Sequence, residues 1–141
     1  MKVSAKMDYA LRALVELGLH WPNFAPRQIS DIGRKAGVPA KFLIHILIDL
    51  KNFGYVHSTR GKMGGYVLAI DPGKINLADL IKQLGGLGSF DEEKRKTKKD
   101  DIVSLFWREI DESILRSLRG MSLEDICDRQ RRKIKAIVYD I

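Results

Sequence analysis

The 141-residue chain has one cysteine, Cys127, and three histidines, His20, His45 and His57, scattered along its length. A lone thiol excludes an internal disulfide framework and any metal cage built from the cysteines of a single chain. A histidine-based metal site would have to be assembled from distant parts of the sequence or from two chains, so neither a metal nor a cofactor is expected. No catalytic constellation emerges, and an enzyme is not expected. Long apolar runs are also missing: MKVSAKMDYALRALVELGL carries Asp8, Arg12 and Glu16 inside its apolar pattern, which a signal-peptide core or a membrane span would exclude. The expectation is a cytoplasmic protein with no membrane partner. No internal repeat is visible.

What is present is enough apolar content, 45% of residues, for one core, and a net charge of +7. The charge is unevenly placed. Residues 1–86 hold 12 Lys/Arg against 6 Asp/Glu, whereas residues 87–141 hold 13 against 12. A basic N-terminal part suits a surface that faces phosphates, although basic composition alone is a weak signal.

Periodicity divides the chain further. Tyr9, Leu11, Ala13, Leu14, Leu17 and Leu19 fall at helical spacing behind a capping Ser4, predicting a helix from about Ala5 to Leu19. HWPNFAP, with Pro22 and Pro26, reads as a loop. QISDIGRKAG gives a short helix closed by Gly37. After a tight turn, Pro39 suits a first helical position, and Phe42, Leu43, Ile46, Leu47 and Leu50 repeat at three and four up to Gly54. Two helices joined by a short Gly-containing turn form a helix-turn-helix. The period then switches to two: YVHSTRG and YVLAI flank the glycine-rich GKMGG as a β-hairpin, and Asn76 caps a helix over LADLIKQL.

The fold class expected is mainly α with a small β-hairpin (α+β), a winged helix-turn-helix over residues 1–86. Residues 87–101 read as a charged flexible loop. Residues 102–141 read as a long dimerisation helix and a C-terminal tail. Within that helix Ile102, Val103, Phe106, Trp107, Ile110, Ile114 and Leu118 make an apolar stripe that no second domain is available to cover, so a homodimer is expected. Ser122 caps a last short helix, LEDIC, and RQRRKIKAIVYDI reads as a basic and then apolar tail.

A recognition helix reaches base edges through its first turns. That places Pro39, Ala40, Lys41, Phe42, Ile44 and His45 nearest the groove, with Lys41, His45 and Phe42 as candidate contacts to DNA. The hairpin tip Arg60, Gly61, Lys62, Met63, Gly64, Gly65 suits a minor-groove or backbone reader, with Arg60, Gly61 and Lys62 as contacts: arginine is drawn to the potential of a narrow groove, and glycine lets backbone approach. A phosphate loop is excluded because no Lys-Ser/Thr pair follows the glycines.

MKVSAKMDYALRALVELGLH, the stretch from ISDIGRKAGVPAKFLIHILIDL to INLADLIKQLGG, and SLRGMSLEDI together resemble the Rrf2 family of bacterial winged-helix regulators. The most specific piece is RGKMGGYVLA, close to the family's RG-x-x-GGY-x-L-A. The resemblance implies a homodimer on double-stranded DNA, with a helix-turn-helix in each major groove, a wing toward each minor groove, and crossed C-terminal helices. It implies DNA contacts at Pro39, Lys41, Phe42, His45, Arg60 and Lys62. Two departures stand out. Ile44-His45 replaces the Glu-Gln pair of many members, so their operators do not transfer. Residues 85–101 lack the three cysteines of cluster-binding members, so the usual iron-sulfur site is missing. Cys127 lies between Asp125 and Asp128, an acidic setting that raises a thiol pKa. The expected function is a sequence-specific repressor without a cluster, its effector unnamed by the sequence. A sensor with non-cysteine ligands and a winged-helix module for protein assembly are the alternatives.

Overall fold

Ser4 opens the first helix by accepting a hydrogen bond from the Met7 backbone N–H at 3.1 Å, which satisfies one of the donors a helix start leaves without an internal partner. In this computed structural model, residues 3–86 and 101–140 are described. All but Asp101 of the segment read as a charged loop therefore lies outside the described residues. Helix α1 (Ala5–Gly18) turns Met7, Ala10, Ala13, Leu14 and Leu17 inward. Helices α2 (Ile29–Ala36) and α3 (Ala40–Asn52) pack against it and against each other. Gly37 ends α2 at φ 70°, a left-handed conformation that glycine adopts without steric cost. Pro39 stands one place earlier than its sequence suggests: at φ −59° and ψ 135° it is the N-cap of α3, and its carbonyl accepts from the N–H groups of Phe42 and Leu43.

The hairpin consists of β1 (Val56–Thr59) and β2 (Gly65–Leu68), paired antiparallel from Val56 opposite Leu68 to Thr59 opposite Gly65. Both strands are shorter than the alternation of side chains suggests. A third piece of extended chain joins them: Arg27 and Tyr66 exchange backbone hydrogen bonds, both 2.8 Å. A one-residue bridge has no period, and the sequence gives no sign of it. A 3-10 turn (Pro72–Lys74) leads to α4 (Leu77–Gln83), where the Asn76 side chain accepts from the N–H groups of Ala78 and Asp79.

The core gathers Leu14, Ile32, Leu43, Leu47, Leu50, Leu68, Ile75 and Leu80. Each such aliphatic side chain, once buried, contributes about 1.5–3 kcal/mol of transfer free energy. Helix α5 (Ile102–Arg119) differs: none of its residues is buried. Helix α6 (Leu123–Tyr139) corrects the sequence reading, because the short helix and the tail are one continuous helix opened by a capping box of Ser122 and Asp125. No glycine or proline interrupts residues 123–139, Arg, Lys, Gln and Ala are good helix formers, and Leu123, Ile126, Cys127, Ile134, Ile137 and Val138 fall on one face at helical spacing, so the chain continues as a helix through the charged run 128–133. Leu123 and Cys127 anchor α6 on the body, while residues 132–140 are exposed.

Candidate nucleic-acid interface

Burial divides α3 into two faces. Leu43, Ile46, Leu47 and Leu50 point into the core, and Lys41, Phe42, Ile44, His45 and Ile48 are exposed. The geometry of the helix sorts the outer residues into two adjacent ridges, Lys41–His45 and Ile44–Ile48, each spaced at i and i+4. Phe42 stands at one edge, its ring centroid 5.7 Å from that of Tyr9 on α1 and the Lys41 Nζ 4.9 Å from its own. Between α1 and α3 lies an open groove of about 400 Å³ lined by Ala5, Lys6, Tyr9, Phe42, His45, Ile46 and Asp49. Lys6 and Asp49 close it with an ion pair of 2.8 Å. Lys41 and His45 are therefore side by side on an outward face. Pro39 is exposed at the start of the same helix.

At the hairpin tip Arg60, Gly61 and Lys62 are all exposed, and Met63 is 89% exposed. The sequence motif has a structural cause here. A Cβ on Gly64 would come within 2.2 Å of the Thr59 carbonyl oxygen, and one on Gly65 within 2.2 Å of the Arg27 carbonyl oxygen. These two glycines admit the protein's own backbone, closing the tip on itself and seating β2 against Arg27. Gly61 meets no neighbour and is glycine for its φ of 103°.

Two residues absent from the sequence reading tie the tip to the helix-turn-helix. The side chain of Gln28, the N-cap of α2, makes no bond to its own helix; its Nε2 donates instead to the Lys62 carbonyl at 3.0 Å. Arg27, whose backbone pairs with Tyr66, sends its guanidinium to His20 and to Glu16, the latter 3.8 Å away. The 34-residue separation of Gln28 from Lys62 leaves no local spacing by which either partner could be found.

The chain matches the Rrf2 family, described as "Iron-dependent Transcriptional regulator", over residues 3–129. It is 30% identical to the HTH-type transcriptional regulator CymR of Bacillus subtilis, an alignment covering 100% of both chains. The solved structure of CymR, the global cysteine regulator of B. subtilis, aligns with a TM-score of 0.77 at 28% identity, covering 92% of this chain and 98% of that one. T. potens IscR aligns with a TM-score of 0.76 at 28% identity, covering 92% and 88%.

The iron in that family description finds no matching donor set among the described residues. The sole cysteine, Cys127, is fully buried, and a Cβ on Gly18 would come within 2.7 Å of its Sγ. Burial pushes its thiol up to about 11, with Glu124 and Asp128 adding to the rise and Arg131 opposing it. A metal ligand must be a thiolate, and this site favours the neutral thiol. Among the described residues no three His, Cys, Asp or Glu side chains are grouped to hold an ion. Cys127 is a packing residue between α6 and α1.

Proposed function

The chain belongs to the Rrf2 family of transcriptional regulators, and from that premise we propose that it acts as a homodimeric repressor on a palindromic operator, with Pro39, Lys41, Phe42 and His45 entering the major groove and Arg60, Gly61 and Lys62 meeting the flanking minor groove or backbone. The observation that carries this reading is the outward face of α3: Lys41 and His45 adjoin on a helix whose opposite face is buried, in a helix-turn-helix followed by a basic hairpin tip. The exposed apolar side chains of α5 support the homodimer. Ile102 is 80% and Phe106 50% exposed, and such surface is ordinarily covered by a second subunit. Among the described residues no helix is long and apolar enough to cross a membrane, which agrees with a regulator working at DNA in the cytoplasm.

Selection of bound sequences from random DNA, run in parallel with the full chain and with its Lys41→Ala and Arg60→Ala variants, tests the reading. The full chain should return a palindrome. Lys41→Ala should lose preference at one identifiable position of each half-site, by about 1–3 kcal/mol. Arg60→Ala should keep the consensus while weakening binding, and for every phosphate no longer neutralised the log-log salt slope should flatten by about 0.9. An unordered pool, or identical losses in both variants on operator and scrambled DNA, would remove the sequence-reading role.

A further inference from the structure

A helix face that reads bases is ordinarily rich in hydrogen-bonding side chains, and this one is not. Of the five exposed side chains over residues 41–48, three are large and apolar: Phe42 at 45%, Ile44 at 44% and Ile48 at 46% exposure. Phe42 lies against Tyr9 on the far side of Lys41 and His45, whereas Ile44 and Ile48 adjoin as one ridge, and exposed apolar surface of that kind marks a place where something binds. Nothing in the chain's own core requires these side chains: their neighbours Leu43, Ile46, Leu47 and Leu50 already fill the inner face.

The major groove offers one methyl group, the 5-methyl of thymine; cytosine presents only a C5–H at the same place, and the other groups read there are hydrogen-bond donors or acceptors. Isoleucine can neither donate nor accept, so against G·C pairs the Ile44–Ile48 ridge would desolvate polar base edges without replacing their bonds. Opposite thymine it buries methyl against methyl. We infer that Ile44 and Ile48 are specificity-determining residues that select thymine in each half-site, next to the base pairs met by Lys41 and His45. This deepens the DNA-reading role proposed above and rests on it. The surroundings favour DNA as the occupant of the patch, because the ridge is flanked by Lys41 and lies in the basic part of the chain, which also supplies Arg60 and Lys62.

Deoxyuridine isolates the methyl group, since it pairs as thymine does and differs only in lacking it. The selected operator should contain thymines in each half-site, beside the position at which Lys41→Ala loses its preference. Replacing them singly with deoxyuridine should weaken binding of the full chain about fourfold for each buried methyl removed. In Ile44→Ala or Ile48→Ala that sensitivity should disappear at the matching thymine, the signature of a direct pair in a double-mutant cycle. Both side chains are exposed, so the variants keep the core intact; unchanged melting temperatures verify this. The inference is overturned if deoxyuridine is tolerated at every thymine, if the sensitivity survives both substitutions, or if neither variant binds DNA differently, the last outcome assigning the patch to a protein partner. A palindromic consensus with deoxyuridine tolerated throughout would sink the thymine assignment alone; the absence of any consensus would sink the operator-reading role as well.

Discussion

Residues 7–84 and residues 102–119 both carry apolar side chains at regular spacing, yet only the first stretch buries them. Leu14, Leu43, Leu47, Leu50 and Leu80 are all fully buried, whereas α5 has no buried residue although Phe106 and Trp107 lie with their ring centroids 5.0 Å apart on it. Periodicity thus tells which face of a helix is apolar and is silent about what covers it. The winged-helix body is complete as a single chain. Among the described residues nothing buries the side chains of helix α5, and its proposed role accordingly requires a second copy.

The sharpest way to break this contrast is to substitute in both places and ask which property fails. Leu47→Ala should cost roughly 2–5 kcal/mol of folding stability, read by urea unfolding, because it empties a filled site in the core. An effect well under 1 kcal/mol would mean the body is not a tightly packed unit. Replacing Trp107 and Ile110 together with glutamate should leave that unfolding transition nearly in place and instead weaken self-association at least a hundredfold, about 2.7 kcal/mol, by putting charge into apolar surface. Sedimentation velocity should find monomers; an undisturbed dimer would place the interface elsewhere.

The smallest effect is expected at the point where the two regions meet. Cys127→Ser should leave DNA affinity within about threefold of the parent, since the thiol is buried against α1. The native thiol should react with iodoacetamide far more slowly than a free cysteine across neutral pH, because alkylation requires the thiolate and burial opposes it. The sign of the linkage follows. A thiol whose pKa is raised in the folded state contributes stability that is fully present below the unfolded-state value, and this contribution is lost as pH climbs toward about 11. Rapid labelling at neutral pH would show that α6 detaches readily from the body.

Much of the body is legible in the sequence because its signals are local. Ser4, Asn76 and Ser122 all cap the helices they precede, and the glycine at position 37 turns the chain where the helical pattern stops. Lys41 and His45 are legible as neighbours because a helix enforces that spacing. What escapes is non-local: the Arg27–Tyr66 bridge and the Gln28 bond to Lys62. The continuation of α6 is periodic, with Ile134, Ile137 and Val138 in line with Leu123 and Cys127, but the charged run DRQRRK over residues 128–133 separates the two apolar parts and hides it. The exposed Ile48 is hidden for a different reason. An isoleucine among leucines and isoleucines reads as core until the neighbouring side chains are seen to have filled it.

One junction ties the two regions together. The Leu77 N–H donates to the Met121 carbonyl at 3.0 Å, the Leu123 N–H to the Ile75 carbonyl at 2.9 Å, and the Asn76 Nδ2 to the Arg119 carbonyl at 2.8 Å. Three bonds within a few residues make the elbow between α5 and α6 a fixed pivot on the body, and α5 a lever mounted on it. In the proposed dimer, the angle at which two levers cross becomes the distance between two recognition helices, so half-site spacing is set at the pivot. A single side chain, Asn76, caps the helix behind it and clasps the lever in front, and Asn76→Ala would loosen the ruler before it blunted either reading head.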